Sequence, residues 1–90
     1  MSEHLHQQLQ KASHQIDEAQ EAIRLAQGQD EELLEKAHDQ LQHAEWELQQ
    51  AQHEAGKEAT ENPQFQQAYQ QLHDTRQQVQ EAKQNNHDVL

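Results

Sequence analysis

Histidine and carboxylate residues are the side chains of this sequence whose spacing could bind a metal ion. The chain has eight histidines and no cysteine, so a site would use imidazole and carboxylate ligands. Glu35 and His38 have the Glu-x-x-His spacing of helical di-iron proteins, and His43 and Glu47 stand one helical turn apart. A di-iron site needs a second such motif and more inward-facing carboxylates. The sequence supplies neither, so we predict no metal and no cofactor.

Catalytic residue patterns are also missing from the sequence. Without cysteine there is no thiolate nucleophile, and neither a Gly-rich phosphate loop nor a nucleophile elbow is present. A substrate pocket needs more chain than 90 residues provide. We therefore expect a protein that is not an enzyme and that binds no small-molecule substrate.

Charge and hydropathy restrict the classes of partner. Seventeen acidic and six basic residues give a net charge of −11, and such a chain lacks the positive field that nucleic acids require. No apolar run approaches the roughly 18 residues of a membrane helix, and Met1-Ser2-Glu3-His4 does not open like a signal peptide. We expect a cytoplasmic protein that binds neither nucleic acid nor a membrane.

The elements that position these side chains follow from the apolar residues, which recur at alternating steps of three and four. The three stripes are Leu5, Leu9, Ala12, Ile16, Ala19, Ile23 and Ala26, then Leu34, Ala37, Leu41, Ala44, Leu48, Ala51 and Ala55, then Phe65, Ala68, Leu72, Thr75, Val79 and Ala82. A mean step of about 3.5 is typical of helices that pack along a common seam. We predict a single helical domain over 1–90, with helices over about 3–27, 31–56 and 63–84 and a frayed tail over 85–90.

Turn and capping residues separate the three stripes. Gly28 is placed to end the first helix, and Asp30 to cap the start of the second. Gly56 stands where the second stripe ends. Asn62 and Pro63 form a helix start, with asparagine as the cap and proline at the first helical position.

Large residues fall at heptad position a and small ones at d in every stripe. An antiparallel pair sets a against d, so each layer joins a large residue to a small one, as Ile16 to Ala44, and brings Glu45 near Arg76. We predict an all-α protein, an antiparallel up-down-up three-helix bundle with coiled-coil packing, large residues at a and alanine at d. Because alanine buries little apolar area, a helical hairpin completed by dimerisation is the alternative.

Leu33, Trp46 and Tyr69 are large residues that lie off the stripes, and they form the candidate partner surface. Trp46 points away from the seam of the first helix pair. We favour its packing beneath the third helix, and the other interpretation is that it anchors a partner. The segment from Asp30 to Glu61 carries a net charge of −8, which could attract a basic partner but is more commonly a solvated helix face.

The phrase Ala-x-x-x-large-x-x-Ala begins at Ala12 and Ala37, and a variant that ends in threonine begins at Ala68. With these repeats and its Asn62-Pro63 restart, the chain resembles the short, Ala/Gln/Glu-rich helical proteins of Bacillus-type bacteria whose function is unknown. The resemblance covers the whole length. It implies a cytoplasmic protein without an assigned activity, and it transfers no functional residue.

A small structural or adaptor protein is the function that we expect, with another protein or a second copy as its partner. Two alternatives stay open. Leu, Ile, Val and Phe make up only 14 of 90 residues, so the chain could be disordered until it folds on a partner helix. The eight histidines could instead form a surface buffer for metal ions or protons.

Overall fold

The computed structural model describes residues 2–26 and 29–88, and the side chains of 3–26 and 29–84. These residues form helices α1 (Ser2–Ala26), α2 (Glu31–Ala55), α3 (Lys57–Thr60) and α4 (Pro63–Asp88). No strand occurs in the described part of the chain. The predicted all-α class is therefore confirmed.

The heptad stripes supply the core. Leu9, Ile16, Leu34, Leu41, Leu48, Leu72 and Thr75 are the largest side chains that are completely enclosed. The alanines of the first two stripes are also buried, except Ala55, which with Ile23 is only partly covered. Burial of the apolar stripe is the main free energy available to a chain this short.

Asp30 caps the start of α2, as its position predicts. Its carboxylate accepts hydrogen bonds from the backbone N–H groups of Glu32 at 3.1 Å and Leu33 at 3.2 Å. Two of the N–H groups that have no partner within the helix are thereby satisfied. The predicted role of Gly28 as a helix end lies outside the described residues.

Asn62 and Pro63 start α4 in the same way. The Oδ1 atom of Asn62 accepts a hydrogen bond from the backbone N–H of Gln64 at 2.8 Å. Pro63 is the first residue of the helix, where its missing N–H leaves no partner unsatisfied. The predicted start of this helix is confirmed.

Gly56 ends α2 with a φ angle of 56°, in the range that glycine tolerates best. Its N–H donates to the carbonyl of Gln52 at 2.8 Å. The single turn of α3 follows at once and buries Ala59. We did not predict α3, because one turn is too short to show a helical period.

The end of α4 differs from the prediction of a frayed tail over 85–90. The helix continues to Asp88, and Val89 and Leu90 lie outside the described residues. Asn85 and Asn86 are weak helix formers, but each costs at most about 0.7 kcal/mol relative to alanine, and both retain the N–H that proline lacks. The series of helical hydrogen bonds therefore continues across Asn85 and Asn86.

Three long helices pack against one another, with the most extensive interface between α1 and α2 and with α4 against both. Side-chain pairs link each interface. The Nζ atom of Lys11 lies 3.6 Å from Oε1 of Glu47, and Nη2 of Arg76 lies 3.0 Å from Oε1 of Glu45. Gln20 of α1 donates a hydrogen bond to Thr75 of α4. The molecule measures 51 × 16 × 15 Å. In the described segments, no helix has the combined length and hydropathy needed to cross a bilayer.

Candidate functional site

Trp46 lies on the outward side of α2 and is 55% exposed. Gln42 and His43 line a shallow hollow with it. The interpretation that Trp46 packs beneath the third long helix is therefore wrong. The preceding residue, Glu45, faces Arg76 of α4, and successive helix residues point about 100° apart. Trp46 is consequently directed to solvent.

Tyr69 lies on α4 and is 38% exposed. Its ring is tilted against that of Phe65, with the ring centroids 5.4 Å apart, a separation typical of attractive aromatic pairs. Phe65 is buried in the core. Tyr69 therefore packs against a core residue and remains partly accessible.

Leu33 lies in a groove between α1 and α2, together with Ala22 and Leu25. Leu25 is 54% exposed. It was not among the predicted candidates, although it also lies beside the stripe and the criterion used for Leu33 applies to it. Trp46 follows Leu33 by thirteen positions on the same helix, about 20 Å at the helical rise. The structure therefore separates the predicted candidate residues into distinct surfaces.

Carboxylates surround Leu25. The groove that Leu25 shares with Leu33 is also lined by the carboxylates of Glu18 and Glu21 and by one cationic side chain, that of Lys36. A second hollow that Leu25 borders is lined by Asp30, Glu31 and Glu32. The acidic lining continues along α2, where Glu35 and Asp39 share a hollow with Glu31, Glu32 and Lys36.

Arg24 offsets the charge of one carboxylate in this region, because its guanidinium pairs with Glu21. It donates hydrogen bonds to both carboxylate oxygens of Glu21. The hydrogen bond from Arg24 lowers the pKa of Glu21 below its usual value. Glu21 therefore stays ionised to a lower pH than a free glutamate.

At the end of the α1–α2 pair that lies away from Leu25, the Nε2 atom of His4 is 3.4 Å from the Oε1 atom of Glu54. Gln8 donates a hydrogen bond of 2.8 Å to the same carboxylate oxygen. This hydrogen bond, more than the neighbouring imidazole, lowers the pKa of Glu54. His14 and Glu18 form a second pair at 3.6 Å.

The metal-binding spacings of the sequence are not assembled into a larger cluster. Across residues 2–26 and 29–88, no group of three or more histidine, aspartate and glutamate side chains is placed to hold an ion. Glu47, which the spacing pairs with His43, is almost fully buried and lies 3.6 Å from Nζ of Lys11.

Polar groups inside the bundle were harder to foresee. Thr75 is the one polar residue of the stripes, and its hydroxyl accepts a hydrogen bond from Gln20 at 3.1 Å. We did not identify Gln20, because glutamine occurs throughout the chain and its partner depends on how α1 and α4 align. Gln40 lines the groove of Leu25, and its buried Oε1 has no hydrogen-bond partner among the described side chains.

These positions offer surfaces for another macromolecule. Trp46 and Leu25 each lie in a shallow hollow on a different side of the hairpin. The surrounding groups are amides, carboxylates and few cations, which suit hydrogen bonds and ion pairs with a protein. No protein-family model, curated protein or solved structure matches this chain.

Proposed function

We propose that this protein is a non-enzymatic interaction module that presents helix surfaces to a protein partner. The exposure of Trp46 carries the proposal, because more than half of this large side chain is accessible on a helix whose inward stripe is buried from Leu34 to Ala51. Tryptophan is enriched among the residues that dominate binding energy at protein interfaces. An exposed tryptophan is also able to bury a large apolar area on contact.

We further propose that the scaffold of this module is an up-down-up three-helix bundle with coiled-coil packing, large residues at a and alanine at d. The order of the contacts supports antiparallel neighbours, because Glu35, the earlier residue of α2, pairs with Lys83, the later residue of α4, whereas Glu45 pairs with Arg76. In the same way, Gln8 of α1 contacts Glu54 of α2, whereas Lys11 contacts Glu47. A closed bundle is favoured over a hairpin that dimerises, since Leu72 is already buried within one chain.

Sedimentation equilibrium with circular dichroism, over a roughly hundredfold range of concentration, tests the scaffold. A closed bundle is a helical monomer at every concentration. Helicity that appears only on association would overturn it, and would favour either the dimerised hairpin or a chain that folds on its partner.

Site-specific photocrosslinking in the native cells tests the interaction. A photoreactive phenylalanine analogue replaces Trp46 in one variant and Gln78 in a control, because Gln78 is exposed on α4. We expect a crosslinked partner at position 46 that is absent at 78. Helicity of both variants is checked by circular dichroism. Identical crosslinking patterns at the two positions, or none at either, would contradict the proposal.

A further inference from the structure

We propose that the groove around Leu25 is a second docking surface, and that it binds a basic amphipathic helix of a partner protein. The Leu25 surface consists of Leu25 and Leu33 with their surrounding carboxylates, which are Glu18, Glu21, Asp30, Glu31 and Glu32. The inference rests on the proposed function only in taking the chain to be an interaction module, since the surface is separate from Trp46.

The apolar part of the surface is formed by residues of both helices. Leu25 is 54% exposed and Leu33 is half-buried, and they lie in one groove with the buried Ala22. A partner residue placed between the two leucines would cover apolar area that is now in contact with water. Grooves between two helices commonly accept the apolar face of a third.

Charge determines which partner fits. Five carboxylates border the two hollows that meet at Leu25, and Lys36 is the cation of their lining. Arg24 pairs with Glu21 and offsets its charge, which leaves four carboxylates and Lys36 at the surface. Lysine and arginine side chains of a partner, placed beside an apolar partner residue, would complement these carboxylates. The net charge of −11 would also attract a basic partner from a distance. A second copy of the chain would bring the same carboxylates and be repelled.

The docking of α4 within the bundle uses the same chemistry. Its apolar stripe is flanked by Arg76 and Lys83, which lie 3.0 Å from Glu45 and 3.4 Å from Glu35. Basic side chains beside an apolar stripe are therefore what α2 already binds on one side. The groove of Leu25 is lined by Lys36, which follows Glu35 and so points about 100° away from the side that meets Lys83.

Three synthetic helical peptides of equal length test the proposal with the full chain. The first has a leucine stripe flanked by lysines, the second has the same stripe flanked by glutamates, and the third keeps the lysines but has serine in the stripe. Binding is measured by isothermal titration calorimetry at two salt concentrations. We expect the first peptide to bind, more weakly at high salt, and the other two to bind at least about tenfold less tightly.

Leu25→Gln locates the site, with Trp46→Gln as the matched control on the separate surface. Leu25→Gln should weaken binding of the first peptide about tenfold, while Trp46→Gln leaves it unchanged. Leu25 is exposed, so the variant should keep its helicity, which circular dichroism checks. Leu33→Gln tests the other wall of the groove and should also weaken binding of the first peptide.

The remaining outcomes distinguish failure of the Leu25 proposal from failure of the Trp46 proposal. Equal binding of the third peptide, which keeps the lysines but has serine in the stripe, would show that general charge attraction alone explains the binding. Loss of binding in Trp46→Gln alone would move the site to Trp46 and leave the proposed function intact. Dimerisation of the protein that Leu25→Gln abolishes would assign the surface to a second copy. Failure of the crosslinking at Trp46, with the Leu25 results as expected, would contradict only the Trp46 proposal.

Discussion

The Nε2 atom of Gln20 donates a hydrogen bond to Oγ1 of Thr75, 3.1 Å away, and so links α1 to α4 through the core. Thr75 is completely buried, whereas Gln20 is only partly covered. The two residues are 55 positions apart in the chain. A hydroxyl in an apolar layer is unfavourable unless it is paired, so Gln20 allows Thr75 to occupy a position that the rest of the stripe gives to alanine or larger apolar residues.

A double-mutant cycle with Gln20→Ala and Thr75→Val measures this link. We expect a coupling energy of about 0.5–1.5 kcal/mol, the usual net contribution of such a hydrogen bond. Denaturation by urea, followed by circular dichroism, gives the four free energies of unfolding. Thr75→Val alone should change stability by less than about 1 kcal/mol, because the partly exposed Gln20 amide can turn to water. A coupling energy near zero would show that the hydrogen bond does not hold α4 in place.

The ion pair of Glu45 and Arg76 should set the alignment of α2 and α4. The guanidinium donates to both carboxylate oxygens, at 3.0 and 3.4 Å, and the side chains are 34% and 36% exposed. Because solvent screens this ion pair, we expect it to contribute about 0–1 kcal/mol to the free energy of unfolding. Arg76→Glu should cost more than Arg76→Gln, since it places two carboxylates together.

Charge exchange provides the control for that pair. The double variant Glu45→Arg with Arg76→Glu should recover most of the stability lost by Arg76→Glu, and thermal unfolding at low and high salt measures the recovery. The effect of each single reversal should shrink at high salt. If Arg76→Glu remained as stable as the parent at low salt, the two side chains would not be neighbours in solution.

Much of the secondary structure could be predicted from the sequence because the apolar spacing and the caps are local signals. The stripes predicted the three long helices, and Asp30 and Asn62 cap the helices that were assigned to them. The ion pair of Glu45 and Arg76 was also predicted, because the large–small alternation gives an alignment of the two helices. Each inference needs only the chain order and the period of a helix.

The surfaces were harder to predict because their exposure depends on where α4 lies. Trp46 is exposed because α4 meets the neighbouring Glu45. The predicted contact of Glu45 with Arg76 already implied this side of α2, and the expectation that Trp46 packs beneath the third helix did not take it into account. Leu25 was overlooked although it is as exposed as Trp46. The role proposed for Leu25 depends on the carboxylates around it. Glu18 and Glu21 share its face of α1, whereas the approach of α2 also depends on the packing of the two helices.

The packing of large against small residues can be tested in one layer. Ala44→Leu should overfill the core and destabilise the protein by about 1–3 kcal/mol, because Ala44 is fully buried. Ile16→Ala should leave a cavity and cost about 2–5 kcal/mol. If the two residues share a layer, the double variant restores the total volume and is more stable than the two single effects predict.

Chemical denaturation of the four proteins gives the coupling, and Gln42→Leu serves as the control on the exposed side of α2. That control should lie within about 0.5 kcal/mol of the parent. Strictly additive effects of Ile16→Ala and Ala44→Leu would place the two residues in different layers, and would reject the proposed heptad alignment of α1 with α2.

The protein should lose stability below about pH 4.3, the usual pKa of glutamate in an unfolded chain. The hydrogen bond from Gln8 lowers the pKa of Glu54, and that from Arg24 lowers the pKa of Glu21. A carboxylate whose pKa is lower in the folded state contributes stability above its unfolded pKa, and that contribution is lost as the pH falls through the folded value. Gln8→Ala should reduce this acid sensitivity, whereas Gln78→Ala, on the exposed side of α4, should not. Thermal melts between pH 2.5 and 5 measure the difference, and parallel curves for Gln8→Ala and the parent would show that Glu54 makes no such contribution in solution.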